Sequence, residues 1–156
     1  MNLRYLIPPE CVILELSKSE DEDVIVEMID HLIQIGRITE DQRASYIQAV
    51  IERELQVGTG IGSGVAIPHA RVEGIEEMTA VFGRSTEGVD FESPDNALSH
   101  CIVLLLAPQG QTAQHLQILS ELAKVFSQCE CREELMAAQT ASEISAIFSA
   151  GATQLA

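Results

Sequence analysis

The stretch His100–Ala107, His-Cys-Ile-Val-Leu-Leu-Leu-Ala, is apolar without interruption after its first residue. A strand with one face in water alternates apolar and polar side chains, so a strand that does not alternate needs cover on both faces. The stretch therefore predicts a central strand with helices packed above and below its sheet. It is too short to cross a bilayer, as is every other apolar segment of the chain.

Cys11–Leu16 (CVILEL), Val65–Arg71 (VAIPHAR) and Met78–Arg84 (MTAVFGR) read as further strands, with Pro68 suiting a strand end or edge. Ser19-x-x-Glu22 matches a capping box ahead of Ile25, Met28, Ile29, Leu32 and Ile35 at helical spacing, and Gly36 marks a stop. A second box, Thr39-x-x-Gln42, opens a helix whose inward face is predicted to carry Ala44, Ile47, Val50, Ile51 and Leu55. A long helix is predicted from Gln111, with Leu116, Leu119, Leu122, Ala123 and Phe126 as its stripe. Short helices near 131–138 and 142–149 follow. With no repeat, linker or low-complexity tract, the 156 residues read as one α/β domain, 1–156, built on a sheet covered by helices. The order of the strands is not legible.

Four glycines, Gly58, Gly60, Gly62 and Gly64, stand at every second position just before Pro68-His69. Glycine is entropically expensive unless the backbone needs positive φ or something must approach closely. A dinucleotide-binding G-x-G-x-x-G opens a helix, but here the period is two and a strand follows. A Walker loop needs Gly-Lys-Ser/Thr, and there is no lysine between Lys18 and Lys124. What remains is a loop that offers backbone N–H groups to an anion or lets a partner's surface lie flat against it.

His69, next to that loop, suits a nucleophile, a base or a metal ligand, and equally a strand-end histidine bonded to a carbonyl. His115 falls in the first turn of the helix from Gln111, where the helix dipole disfavours an imidazolium. Arg53, at the end of the second helix and beside the loop, suits bidentate capture of a phosphate, or simply a surface pair or a contact with helix-end carbonyls. His31 and His100 read as structural. A metal hydrolase built on His69 and His115 lacks any local ligand spacing of the HExxH kind.

Nine Lys and Arg against 24 Asp and Glu leave a net charge of −15. That excludes nucleic acid and an anionic membrane as partners and suits a basic protein, although it also serves simple dispersal in solution. The opening MNLRYLIPPE lacks the basic start and apolar core of a signal peptide, so a cytoplasmic protein with no membrane insertion is expected. Of the four cysteines, Cys11, Cys101, Cys129 and Cys131, Cys101 belongs to the core strand, and the Cys129-x-Cys131 pair is too sparse for zinc. No metal or cofactor is expected.

Arg53-Glu54, followed by Thr59-Gly60-Ile61-Gly62-Ser63-Gly64-Val65-Ala66-Ile67-Pro68-His69, closely resembles the signature of the enzyme IIA proteins of the fructose/mannitol class. These belong to the bacterial phosphoenolpyruvate-dependent sugar phosphotransferase system and include a nitrogen-regulatory IIA branch. His115-Leu116-x-x-Leu119 and the segment Leu135–Ile144 fit the same family, so the resemblance covers essentially the whole chain. It implies a single-domain α/β fold with a mixed β-sheet and helices on both faces. It also implies that His69 is phosphorylated by a basic HPr-type phosphocarrier, with His115 as the second active-site histidine and Arg53 as the phosphate-pairing arginine. Gly58, Thr59, Gly60, Ile61, Gly62 and Gly64 would form the docking and phosphate-cradling loop. Phosphate would then pass to a IIB protein for sugar uptake, or its presence would control a regulatory target protein. The opening Leu6-x-Pro8-Pro9-Glu10 leans toward the nitrogen-regulatory branch. One departure is visible: many members have Ser where this chain has Gly58.

Overall fold

The computed structural model describes residues 3–56 and 58–154. Six strands, β1 (Val12–Ile13), β2 (Gly60–Gly62), β3 (Val65–Ala66), β4 (His69–Val72), β5 (Thr79–Val89) and β6 (Ser99–Pro108), form one mixed sheet. Around it lie α1 (Leu3–Leu6), α2 (Asp21–Gln34), α3 (Arg43–Gln56), α4 (Thr112–Phe126), α5 (Cys129–Ala137) and α6 (Ala141–Gln154).

β6 is the central strand, and its unbroken apolar sequence is explained by its two faces. Cys101, Val103, Leu105 and Ala107 pack among Leu3, Leu6, Ile118, Leu122, Leu135 and Phe148 of α1, α4, α5 and α6. Ile102, Leu104 and Leu106 point the other way, into Ile25, Met28, Ile29, Leu32, Tyr46 and Val50 of α2 and α3. Each such buried side chain contributes on the order of 1.5–3 kcal/mol.

The strand order is β1-β5-β6-β3-β2, with β4 also paired to β6. β5 runs antiparallel to β6 (Phe82 opposite Val103), whereas β3 and β4 both run parallel to it (Ala66 opposite Ile102, His69 opposite Leu105). The predicted strand Val65–Arg71 is thus two short strands in succession on one edge of β6. Pro68 lies at the break, lacking an N–H for the ladder, while its carbonyl still accepts from Leu105 N–H at 2.9 Å.

Several local expectations need correction. Of Cys11–Leu16 only Val12 and Ile13 are strand, because Pro9–Cys11 forms a 3-10 turn and the chain then bends away. The Ser19 box does not form: α2 starts at Asp21 with Glu20 at its N-cap and no side-chain cap, and Asp21, Glu22 and Asp23 face the positive end of the helix dipole instead. At the Thr39 box, Gln42 Oε1 does accept from Thr39 N–H at 2.9 Å, in a 3-10 turn leading into α3.

The inward line of α3 is Tyr46, Val50 and Glu54, with Ile47 and Ile51 half-buried, while Ala44 is exposed and Leu55 is 74% exposed. In α4 the buried line is His115, Ile118, Leu122, Val125 and Phe126, so Leu116 and Ala123 face outward. In both helices a polar residue, Glu54 or His115, occupies a buried position that apolar periodicity passes over. α1, not anticipated from the sequence, packs its buried Leu3 and Leu6 in the α4–α6 layer.

Candidate functional site

His69 is the first residue of β4, and its half-buried imidazole is held by its own chain. Nδ1 lies 2.7 Å from the carbonyl oxygen of Ile67. A carbonyl only accepts, so Nδ1 carries the proton and donates, leaving the lone pair of the neutral ring on Nε2. Burial holds the His69 pKa below its ordinary value, and the charges of Arg53 and Arg71 push the same way against the Ile67 bond. The ring is therefore neutral at pH 7, with its lone pair on Nε2.

His115 sits in the first turn of α4, 4% exposed. Its pKa is pushed down to about 4, first by burial and then by His69, Arg71 and Arg53. Its Nδ1 accepts from Arg71 Nε at 3.4 Å, whereas its buried Nε2 makes no hydrogen bond to any described residue. The His69 and His115 rings meet edge to face, with centroids 5.3 Å apart and planes inclined by 73°.

These side chains line an open cavity of about 580 Å³, with Glu52 and Arg53 contributed by α3, His69 and Arg71 by β4, and His115 and Leu116 by α4. The tertiary fold thus brings together three sequence candidates, His69, His115 and Arg53. Arg71 was not singled out in the sequence, yet it follows from strand geometry: residues two apart on a strand share a face, which puts Arg71 on the side of His69.

Gly58, Thr59, Gly60, Ile61, Gly62 and Gly64 do not line this cavity. Gly60–Gly62 is a strand, β2, that pairs antiparallel with β3, so the expected open loop is a hairpin. Its turn carries Ser63 at φ 57° and Gly64 at φ 79°, which explains glycine at the second position. At Gly58 a Cβ would fall 2.6 Å from the Phe91 carbonyl oxygen and 2.8 Å from Glu92 Cβ. Close approach is indeed the reason for that glycine, but what approaches is the chain's own Phe91 and Glu92. The same contact explains why a serine at position 58 does not fit this backbone.

Thr59 ties the hairpin to the helix that carries Arg53. The buried Glu54 carboxylate accepts from Thr59 N–H at 3.1 Å and from Thr59 Oγ1. Burial raises the Glu54 pKa, and the two Thr59 bonds oppose that rise. The other two histidines are engaged with backbone carbonyls, His31 Nε2 with Glu10 at 2.8 Å and His100 Nδ1 with Ser85 at 2.8 Å. A second hollow, of about 360 Å³ beside α2, includes Glu27 and Asp30 in its lining, both already in use. There Glu27 holds the Ser17 and Lys18 N–H groups, and Asp30 pairs with Arg43.

The family described as "Phosphoenolpyruvate-dependent sugar phosphotransferase system, EIIA 2" matches residues 5–151. The chain belongs to this family. The EIIA 2 chain is 35% identical over 140 residues to the fructose-specific EIIABC component of Bacillus subtilis, covering 90% of the chain but only 22% of that much longer protein. It is 32% identical to the fructose-specific EIIA component of Haloferax volcanii, covering 89% of each. Its fold matches the crystal structure of the nitrogen regulatory protein IIA-Ntr from Neisseria meningitidis with a TM-score of 0.85. That match has 33% identity and covers 94% of this chain and 98% of the other. Relatives of both the sugar-specific and the nitrogen-regulatory kinds thus flank this EIIA 2 chain. Among the described residues no helix is long and apolar enough to cross a membrane.

Proposed function

We propose that this EIIA 2 chain is a phosphoryl carrier whose acceptor atom is His69 Nε2. The observation that carries the reading is the Nδ1–H bond to the Ile67 carbonyl, which leaves the Nε2 lone pair free in a cavity walled by cations. In the transfer, that lone pair forms a new N–P bond as the N–P bond to the donor's phosphohistidine breaks. The electron pair of the broken bond stays with the donor imidazole, and the His69 proton stays on Nδ1, hydrogen-bonded to the Ile67 carbonyl, so no base is required. Arg53 stands where charge spreads over the phosphoryl oxygens of a loose, in-line transition state. His115, kept neutral, supplies a ring N–H in place of a competing charge.

The donor in this reading is a basic HPr-type phosphocarrier protein, steered by the net charge of −15, and the chemistry takes place in the cytoplasm. The favoured destination is regulatory, with phosphorylation controlling the binding of a target protein. Full-length likeness to the Neisseria nitrogen regulatory protein supports this. The second reading, transfer to a IIB protein for uptake of a sugar of the fructose/mannitol type, is favoured by the Haloferax fructose-specific relative.

Intact-mass spectrometry after incubation with phosphoenolpyruvate, enzyme I and an HPr-type carrier tests the assignment. One acid-labile phosphate is expected on the wild type and none on His69→Ala, and full labelling of the variant would remove His69 from its role. Discharge of the phosphoprotein by IIB candidates then separates the two destinations, since a regulatory chain is not emptied by them.

A further inference from the structure

Arg71 is absent from every motif considered above, yet among the described residues its side chain is the one hydrogen-bonded to a ring nitrogen of His115. Its Nε–H lies 3.4 Å from His115 Nδ1. A guanidinium donates and never accepts, so this contact stabilises the ring form whose lone pair is on Nδ1. The neutral imidazole then carries its proton on Nε2, the buried atom with no partner among the described residues. A buried N–H without an acceptor is costly, and a group left in that condition at a site commonly serves the reaction there. Anionic oxygens entering beside His69, whose ring lies 5.3 Å away, are acceptors of the right charge.

We infer that Arg71 is a positioning residue that fixes the tautomer of His115, so that His115 Nε2–H serves as a donor to the phosphoryl group carried by His69. The inference rests on the phosphoryl-carrier reading for its second half only, because the tautomer exists in the unphosphorylated protein. A wrongly placed imidazole proton disables a site while leaving its geometry intact. Arg71 is itself exposed, so its replacement leaves the core unchanged.

Lysine donates only, glutamate accepts only, and glutamine does both while placing its amide at the chain position of the arginine Nε. Long-range ¹⁵N–¹H spectra of the His115 ring at pH 7 distinguish the tautomers. The wild type and Arg71→Lys should show the proton on Nε2, and Arg71→Glu should move it to Nδ1. An Nδ1 proton in the wild type, or an unmoved proton in Arg71→Glu, would overturn the inference.

The transfer rate supplies the second readout. Arg71→Gln should slow phosphoryl acceptance about tenfold alone and by about twofold or less in a His115→Ala background. An equal loss in both backgrounds would mean that Arg71 acts on the phosphate directly, not through His115. Absence of phosphate on the wild type would instead overturn the carrier reading, with the ring spectra still deciding the tautomer.

Discussion

The imidazoles of His69 and His115 stand edge to face at 5.3 Å, and each has one nitrogen fixed by a different kind of partner. A backbone carbonyl sets His69 and a guanidinium sets His115, so the two rings carry their protons on opposite nitrogens. Both pKa values are held below the ordinary value by burial first and neighbouring charge second. Two neutral histidines in one cavity beside two arginines make an environment that welcomes an anion without a charged imidazole competing for it.

Stability should fall in mild acid because of His115. Its pKa is about 4 in the folded chain against an ordinary 6.5, so between these values the unfolded chain binds the proton and the folded one does not. Stability linked to this group is complete above about pH 6.5 and is lost as pH falls toward 4. Urea unfolding of the wild type and His115→Gln at pH 7 and pH 5 checks this, and the variant should lose less stability between the two.

Thr59→Val should destabilise the protein by about 2 kcal/mol, because it removes a hydroxyl donor from the buried Glu54 carboxylate. The Glu54 pKa should also rise further, since one of the bonds opposing its desolvation is gone. Denaturant midpoints measured from pH 4.5 upward check both, as the penalty grows while pH rises above the ordinary carboxylate value and Glu54 must ionise.

Gly58→Ser should cost roughly 1–3 kcal/mol here. The added Cβ would sit 2.6 Å from the Phe91 carbonyl oxygen, a backbone atom that moves only with its whole segment. A thermal melt at or above the wild-type midpoint would show that the segment 91–93 yields more readily than its packing indicates.

Added salt should raise stability and slow transfer. A net charge of −15 repels itself, and ion pairs such as Arg37–Glu10 and Arg43–Asp30, both on the surface, offset little of that repulsion. Screening weakens the repulsion and also the attraction of a basic donor. Melting midpoints and stopped-flow transfer rates across a salt series should therefore move in opposite senses.

Much of this chain was legible as sequence because the information was local. The unbroken apolar run 101–107 requires cover on both faces wherever it sits, and the order of helices and strands around it follows from periodicity. The motif from Thr59 to His69 named the family, and His69, His115 and Arg53, singled out there by position, line one cavity in the fold. The misassigned helix faces arose where Glu54 and His115, both polar, take inward positions by virtue of long-range partners.

What the tertiary structure decided depends on residues far apart in the chain. Gly58 is glycine because Phe91 and Glu92 lie against it, and its neighbour Thr59 is bonded back to Glu54, contacts that packing and a turn impose on the glycine run. Arg71 reaches His115 across 44 residues of sequence, and only the parallel pairing of β4 with β6 brings that contact about. Sequence fixes which atoms are able to ionise, donate or attack. Which nitrogen holds the proton, and at what pKa, depends on the few ångströms of environment that folding assembles around each ring.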